Sequence, residues 1–126
     1  MEASGLVFRD RTSGGVLTYV PGLARLDDEV LDRMRASDVV LVDGTFWRDD
    51  ELARLGISER TARQMGHVPL SGAGGSLEAL GRLERPRVIF VHINNTNPVL
   101  LERSAEREAV VRAGLEIAYD GLQLEL

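Results

Sequence analysis

Two short runs without a polar residue constrain the fold of this chain most. They are Val-Val-Leu-Val at residues 39–42 and Val-Ile-Phe-Val at residues 88–91. A strand with one face in water alternates polar and apolar residues, so a strand that lacks this alternation is buried on both faces. Helices packed on a mostly parallel sheet give strands that environment. The two runs therefore predict central strands of a layered α/β protein.

Hairpins are predicted at both ends of the chain. Residues 6–10 and 16–20 are rich in β-formers and flank a turn with two glycines, which is typical of a β-hairpin. Residues 115–119 and 122–126 are divided by Asp-Gly, which also favours hairpin turns. We therefore expect one hairpin before the helical part of the chain and one after it.

Helices are predicted between the strands. Apolar residues recur at helical spacing in residues 27–36, 76–83 and 104–113, and the last segment is followed by a glycine suited to a left-handed cap. Ser76 is expected to be the N-cap of the second helix. Residues 47–65 are charged and irregular, which predicts a loop with one or two helical turns.

Composition limits the kind of protein that the chain can form. Its 126 residues are enough for one domain, and the net charge of −5 disfavours binding to nucleic acid. There is no cysteine, so a metal would be held by histidine and carboxylate. The apolar runs are too short to cross a membrane, and no signal-peptide pattern is present. We therefore expect one partial domain over residues 1–126, located in the cytoplasm.

Candidate functional residues follow strands or lie in loops, where α/β proteins place their sites. Asp43 and His92 come directly after the two apolar runs, and His67 lies in the loop segment Gly-His-Val-Pro. Each also has an ordinary structural interpretation. Asp43 could accept backbone N–H groups in a turn, His67 could be a loop histidine, and His92 could be an imidazole with protein partners. Position alone leaves both interpretations open.

Two polar segments have competing interpretations as well. Asn94, Asn95 and Asn97 could satisfy one another in a turn before Pro98, or they could orient the ring of a metal-binding His92. The glycine-rich residues 72–75 lack the lysine and the preceding strand of a phosphate-binding loop. They predict a flexible turn.

Three segments together resemble the family of pyrroloquinoline quinone (PQQ) biosynthesis protein B, in the metallo-β-lactamase fold superfamily. They are Val42-Asp43-Gly44-Thr45-Phe46-Trp47, Gly66-His67-Val68-Pro69 and His92-Ile93-Asn94-Asn95-Thr96-Asn97-Pro98. The resemblance extends over about residues 5–126, and the segment that begins at His92 is its most specific part. It implies the C-terminal half of a metallo-β-lactamase-like αββα sandwich, an α/β fold with helices outside two sheets.

The resemblance also implies roles for the candidate residues. His92 would bind a metal, and Asp43 with His67 would form an acid/base or substrate-orienting pair. Pro21 and Gly22 stand where dinuclear members have a bridging aspartate, so a single divalent metal is expected. Imidazole and carboxylate suit iron(II) as well as zinc(II), and the resemblance favours iron(II). The remaining ligands would belong to an N-terminal half that this sequence does not contain.

The expected function is PQQ biosynthesis through a metal-dependent oxygenase or hydroxylase that acts on a tyrosine-derived precursor. The expected partners are this precursor and other proteins of the pathway. The alternatives are a carrier that transports PQQ or its precursor, and a zinc-dependent hydrolase. As a truncated product, the chain alone is expected to be inactive and to self-associate through the sheet face meant for the missing half.

Overall fold

The computed structural model describes residues 5–126, which contain a five-stranded sheet in the order β1-β2-β3-β4-β5. The strands are β1 (Leu6–Arg9), β2 (Val16–Val20), β3 (Val39–Asp43), β4 (Arg87–Val91) and β5 (Glu116–Ile117). β1 is antiparallel to β2, and β2, β3, β4 and β5 run parallel to one another. The carboxyl ends of β2, β3 and β4 therefore lie along one edge of the sheet.

Short helices connect the strands. They are α1 (Asp28–Arg35), α2 (Glu51–Arg54), α3 (Ser76–Leu80) and α4 (Ala105–Arg112), with 3₁₀ turns at Arg63–Met65 and Pro98–Leu100. Asp27 and Ser104 cap α1 and α4 by accepting a backbone N–H through their side chains, which confirms the predicted starts of these helices. None of the helices within residues 5–126 has the length and apolar character needed to cross a bilayer.

The start of α3 differs from the prediction that Ser76 is its N-cap. The N-cap is Gly75, and Ser76 is the first helical residue. A Cβ atom at Gly75 would lie 2.5 Å from the carbonyl oxygens of Leu70 and Ser71, so the close approach of this loop requires glycine at the cap position. The hydroxyl of Ser76 is buried and has no hydrogen-bond partner within the part of the chain that the structure describes. The helix also ends at Leu80, three residues before the predicted end.

The core lies between the helices and one face of the sheet. The predicted central strands are confirmed, since Val40, Val42 and Phe90 have no exposed surface and Val88 is 1% exposed. These side chains belong to a buried cluster that includes Met34, Leu80, Val99 and Val110 from the helices and turns. Burying a side chain of this size stabilises a fold by about 1.5–3 kcal/mol relative to leaving it exposed. The packing thus fixes the backbone of β3 and β4 up to their carboxyl ends.

The predicted C-terminal hairpin is wrong. Only Glu116–Ile117 forms a strand in this region, and it pairs in parallel with β4. The edge of a formed sheet is a better pairing partner than a second isolated strand, because a lone two-stranded hairpin is only marginally stable. Residues 122–126 are in no strand and return towards the start of β2, where a Cβ atom at Gly15 would lie 2.9 Å from Leu126.

Candidate functional site

Asp43 ends β3 and is the buried centre of the candidate site, with no exposed surface. One carboxylate oxygen, Oδ2, accepts the backbone N–H of Leu23 at 2.8 Å and lies 2.7 Å from Nδ1 of His67. The other, Oδ1, accepts the backbone N–H of Thr45 at 2.9 Å and its hydroxyl at 2.6 Å. A buried carboxylate requires such partners, since an unpaired buried charge is strongly destabilising. Asp43 is thus both a turn carboxylate and the partner of a histidine.

His67 reaches Asp43 from the loop that follows the Arg63–Met65 turn. Gly66 precedes it in the left-handed conformation, with φ of 83°, which a residue with a side chain rarely adopts. The buried Val68 after it donates its backbone N–H to the carbonyl of Leu23 at 2.7 Å, so both flanks of His67 are fixed. The side chain of His67 is 17% exposed, and solvent can reach the ring.

His92 follows β4 and is exposed. Its φ is 55°, a left-handed conformation that is uncommon for residues other than glycine, although histidine is among the more tolerant. The ring nitrogen Nδ1 lies 3.0 Å from the hydroxyl oxygen of Thr45. The centroids of the His92 and His67 rings are 5.9 Å apart and their planes differ by 21°. The structure thus brings together all three residues that the sequence indicated for chemistry.

Thr45 connects these residues, although no role was predicted for it from the sequence. Its hydroxyl contacts the carboxylate of Asp43 and both imidazoles. Only the contact with Asp43 has a sequence signal, because a hydroxyl two residues after an aspartate can bond back to that carboxylate. The contacts with the two imidazoles have none. Gly44 between them donates its N–H to the carbonyl of Val91 at 2.7 Å, and a Cβ there would lie 2.9 Å from Cβ of Phe90.

The asparagines after His92 bind parts of the site other than its ring. Asn97 is 1% exposed, and its Nδ2 donates to the carbonyl of Gly44 at 2.9 Å while its Oδ1 accepts from the N–H of Val99 at 3.0 Å. Asn94 donates to the hydroxyl of Thr96 at 2.6 Å, and Asn95 is exposed. Within residues 5–126 the side-chain hydrogen bond of the His92 ring is with Thr45. A role for the asparagines in orienting the His92 ring stays a prediction. For Asn97 this role would be indirect, through the backbone of the turn that contains Thr45.

Glu51 is a second buried carboxylate near the site, at 5% exposure, and it was not predicted. Its Oε1 accepts the N–H of Trp47 at 2.9 Å, and its Oε2 accepts the hydroxyl of Thr96 at 2.6 Å. It therefore ties α2 to the turn that follows His92. A glutamate in a charged, irregular segment gives no sequence signal of burial.

The described residues can supply one ligand of a metal site, His92, but they do not supply a complete set of ligands. A catalytic metal typically has three protein ligands. Nowhere in residues 5–126 are three or more histidine, cysteine, aspartate or glutamate side chains grouped to hold an ion. The exposed ring of His92, held at Nδ1 by a hydroxyl, resembles the usual arrangement of a ligating histidine.

Comparison with known proteins identifies the family. The β-lactamase superfamily domain matches residues 1–93. The chain belongs to this superfamily. It is 56% identical to coenzyme PQQ synthesis protein B of Cupriavidus taiwanensis over 122 residues, and 54% identical to that of Pseudomonas protegens over the same length. Each alignment covers 97% of this chain and 40% of the relative, so the chain spans 40% of the length of these curated relatives.

A solved structure gives the same assignment. The 1.98 Å crystal structure of Zn²⁺-bound PqqB from Methylobacterium extorquens matches with a TM-score of 0.85 and 44% identity. The match covers 90% of this chain and 38% of that protein. The expected resemblance to PQQ biosynthesis protein B and the expected α/β fold of the metallo-β-lactamase kind are therefore confirmed.

Proposed function

We propose that this chain supplies one metal ligand and a proton-handling pair to an enzyme of PQQ biosynthesis. His92 is the ligand, and Asp43 with His67 is the pair. The observation that carries the proposal is the meeting of these three side chains through Thr45 at one edge of the sheet, in a chain 56% identical to a PQQ synthesis protein. The proposal places the enzyme in the cytoplasm, with other proteins of the pathway as partners.

The proposed metal is a single divalent ion, and iron(II) is preferred to zinc(II). Imidazole is a suitable ligand for both ions. The relative from Methylobacterium extorquens is described as Zn²⁺-bound, so a divalent ion is compatible with this family. The preference for iron(II) comes from the proposed reaction. The ligands besides His92 would lie outside residues 5–126, where no complete ligand group occurs.

The proposed reaction is hydroxylation of a tyrosine-derived precursor of PQQ. The bound metal would supply activation of dioxygen. One oxygen atom would be inserted into a C–H bond of the precursor to give a hydroxyl group. The other would be reduced to water by two electrons and two protons from an external two-electron reductant that is added to the assay. The side chain of His67 is 17% exposed, so its ring can be reached by a substrate and can exchange a proton with it. The carboxylate of Asp43, at 2.7 Å, would stabilise the imidazolium while it holds that proton.

A chimera tests the proposal with the residues of this chain. Residues 5–126 replace the matching region of the Cupriavidus taiwanensis protein, and bound metal, dioxygen consumption and product mass are measured. We expect His92→Ala to lose metal and activity, and His67→Ala to keep metal and lose activity. Arg103→Ala, at an exposed position, is the control and should change neither. Full activity of the His92→Ala chimera would refute the proposed role of His92.

Hydrolysis by a zinc-bound water is the second candidate, because the Methylobacterium extorquens relative is described as Zn²⁺-bound. The same chimera distinguishes the two reactions. An enzyme that is active with zinc alone and consumes no dioxygen would support hydrolysis and contradict hydroxylation. Retained affinity for PQQ after His92→Ala, in a protein without metal or turnover, would instead support a carrier.

Self-association of the isolated chain is also part of the proposal, and we assign it to the edge strand β1 instead of the sheet face expected from the sequence. β1 lies at the edge of the sheet, and Leu6, Val7 and Phe8 are 56%, 48% and 51% exposed. An exposed apolar edge strand promotes pairing with a second chain. We expect light scattering after size-exclusion chromatography to give a mass above 13.8 kDa, and Phe8→Lys to lower it. Leu101→Lys, at a residue that is 67% exposed, is the control.

A further inference from the structure

The hydroxyl oxygen of Thr45 is the meeting point of four polar atoms. It lies 2.6 Å from Oδ1 of Asp43 and 3.0 Å from Nδ1 of His92. At longer range it lies 3.1 Å from the carbonyl oxygen of His92 and 3.2 Å from Nδ1 of His67. A hydroxyl has one proton to donate, so these distances determine which partner receives it and which must donate in return.

We infer that Thr45 is a positioning residue that holds His92 in the Nδ1–H tautomer and presents its Nε2 as the working nitrogen. Asp43 imposes the same tautomer on His67. The tautomers follow from this chain's own hydrogen bonds, and only their use in metal binding depends on the proposed function.

The proton of Thr45 lies on the bond to Asp43. An ionised carboxylate can only accept, so a contact of 2.6 Å between it and a hydroxyl oxygen requires the hydroxyl to donate. The backbone N–H groups of Leu23 and Thr45 already point at the two oxygens of this carboxylate, which is therefore used as an acceptor on both sides. The carbonyl of His92 at 3.1 Å is the longer and weaker alternative for the same proton.

Only one placement of the imidazole protons is then compatible with these hydrogen bonds. Because Thr45 donates to Asp43, its oxygen can only accept from Nδ1 of His92, which must carry a proton. Nδ1 of His67 lies 2.7 Å from the carboxylate and must also carry one. A neutral imidazole has a single N–H, so Nε2 of each ring keeps its lone pair.

This arrangement couples His92 to a carboxylate through an intervening hydroxyl. Ligating histidines usually donate their second N–H to a carboxylate, a carbonyl or water, which fixes the tautomer and the ring orientation. Here Asp43 serves both rings, because it binds His67 directly and reaches His92 through Thr45. A threonine in this position therefore determines which nitrogen of His92 can face an ion.

The chain is well suited to a direct test by nuclear magnetic resonance, since it contains two histidines. Long-range ¹H–¹⁵N spectra of ¹⁵N-histidine-labelled protein distinguish Nδ1–H from Nε2–H rings. At about pH 8.5, where an ordinary imidazole is neutral, we expect both rings to be Nδ1–H. His67→Gln assigns the two sets of signals. An Nε2–H ring at His92 in the unsubstituted protein would overturn the inference, even if no Thr45 variant folded.

The role of Thr45 itself is tested by two substitutions. Thr45→Val keeps the shape and removes the acceptor, so His92 should move towards the Nε2–H form that dominates for imidazole in water, while His67 stays Nδ1–H beside Asp43. Thr45→Ser should restore the original His92 spectrum. An unchanged His92 tautomer in folded Thr45→Val would contradict the inference.

A metal titration of the chimera separates this inference from the proposed function. We expect Thr45→Val to weaken binding of iron(II) or zinc(II) by about 10–100-fold and Thr45→Ser to restore it, as for other residues that orient a ligating histidine. Weaker binding without a change of tautomer would count against the positioning role. The predicted tautomers in a chimera that binds no metal would support the positioning role and refute the proposed metal site.

Discussion

The carboxyl ends of β3 and β4 lie side by side and are built in opposite ways. Asp43 and Thr45 at the end of β3 are buried, and the carboxylate accepts a hydrogen bond on every side. His92 at the end of β4 is exposed and has a left-handed backbone. The end of β3 is a rigid support held by buried hydrogen bonds. The end of β4 carries the exposed His92 ring, which is hydrogen-bonded to that support through Thr45. A site can therefore obtain rigidity from one strand and accessibility from its neighbour.

Asp43→Ala is expected to have the largest effect on stability, because it removes the carboxylate that holds the end of β3 in place. The substitution leaves the buried N–H groups of Leu23 and Thr45 and the ring of His67 without their acceptor. We expect the free energy of unfolding to fall by about 3 kcal/mol or more, because each buried donor left without an acceptor costs about 1–3 kcal/mol. Urea denaturation measures this loss.

The control for this experiment is Asp32→Ala, which removes an exposed carboxylate paired with Arg35. An exposed ion pair contributes about 1 kcal/mol or less. Equal losses in the two variants would mean that the end of β3 is no more fixed than the protein surface.

Gly44→Ala should have the next largest effect, because it forces the two strand ends apart. The new Cβ would lie 2.9 Å from Cβ of Phe90 and 3.1 Å from the carbonyl oxygen of Val91. We expect overpacking to cost about 1–3 kcal/mol in unfolding free energy. Gly22→Ala is the matched control, since nothing lies within 4 Å of its new Cβ. A stable Gly44→Ala protein with unchanged His92 signals would argue against close contact between the ends.

A smaller effect is expected at the end of β4, from the backbone of His92. A left-handed conformation costs a residue with a side chain about 1–2 kcal/mol, and glycine avoids this cost. We therefore expect His92→Gly to be more stable than His92→Ala by about 1 kcal/mol in thermal or urea unfolding. The reverse order would show that φ at this residue is not positive in solution.

The smallest effect is expected at the amino ends of the strands. There Arg87, at the start of β4, donates to Glu116, at the start of β5, at 2.6 and 2.8 Å. The hydrogen bond from Arg87 holds the pKa of Glu116 below its ordinary value. A lowered pKa means that this contribution to stability is present above the ordinary value of 4.5 and is lost as the pH falls through the folded value. Glu116→Gln should reduce this acid sensitivity in unfolding measurements at pH 3 to 6, while metal binding by the chimera stays unchanged.

Much of the scaffold could be predicted from the sequence, because its signals are local. Unbroken apolar runs indicated β3 and β4, and the helical spacing of apolar residues indicated two helices that begin after Asp27 and Ser104. The C-terminal hairpin was mispredicted because the sequence of residues 115–126 suits pairing with itself as well as with an existing sheet edge. The presence of β4 beside Glu116–Ile117 decides between these pairings, and no local pattern records it.

The candidate site was predicted in part for the same reason. Asp43 and His92 could be found because each follows an apolar run, and His67 could be found as a histidine in a loop segment. Thr45 and Glu51 could not, since their importance depends on contacts 47 and 45 residues away along the chain, with His92 and Thr96. A hydroxyl or a carboxylate in a loop has no pattern that distinguishes such a contact from exposure to water.

Anomalous X-ray diffraction from crystals of the metal-loaded chimera would show whether His92 binds the metal, because the absorption edge identifies the ion and the map locates it. We predict one ion bound by Nε2 of His92, at about 2.0–2.1 Å if the ion is zinc, with Asp43 and His67 beside the ion and outside its coordination. An ion bound through Nδ1 of His92, or a His92 ring turned away from the ion and towards protein, would contradict the account.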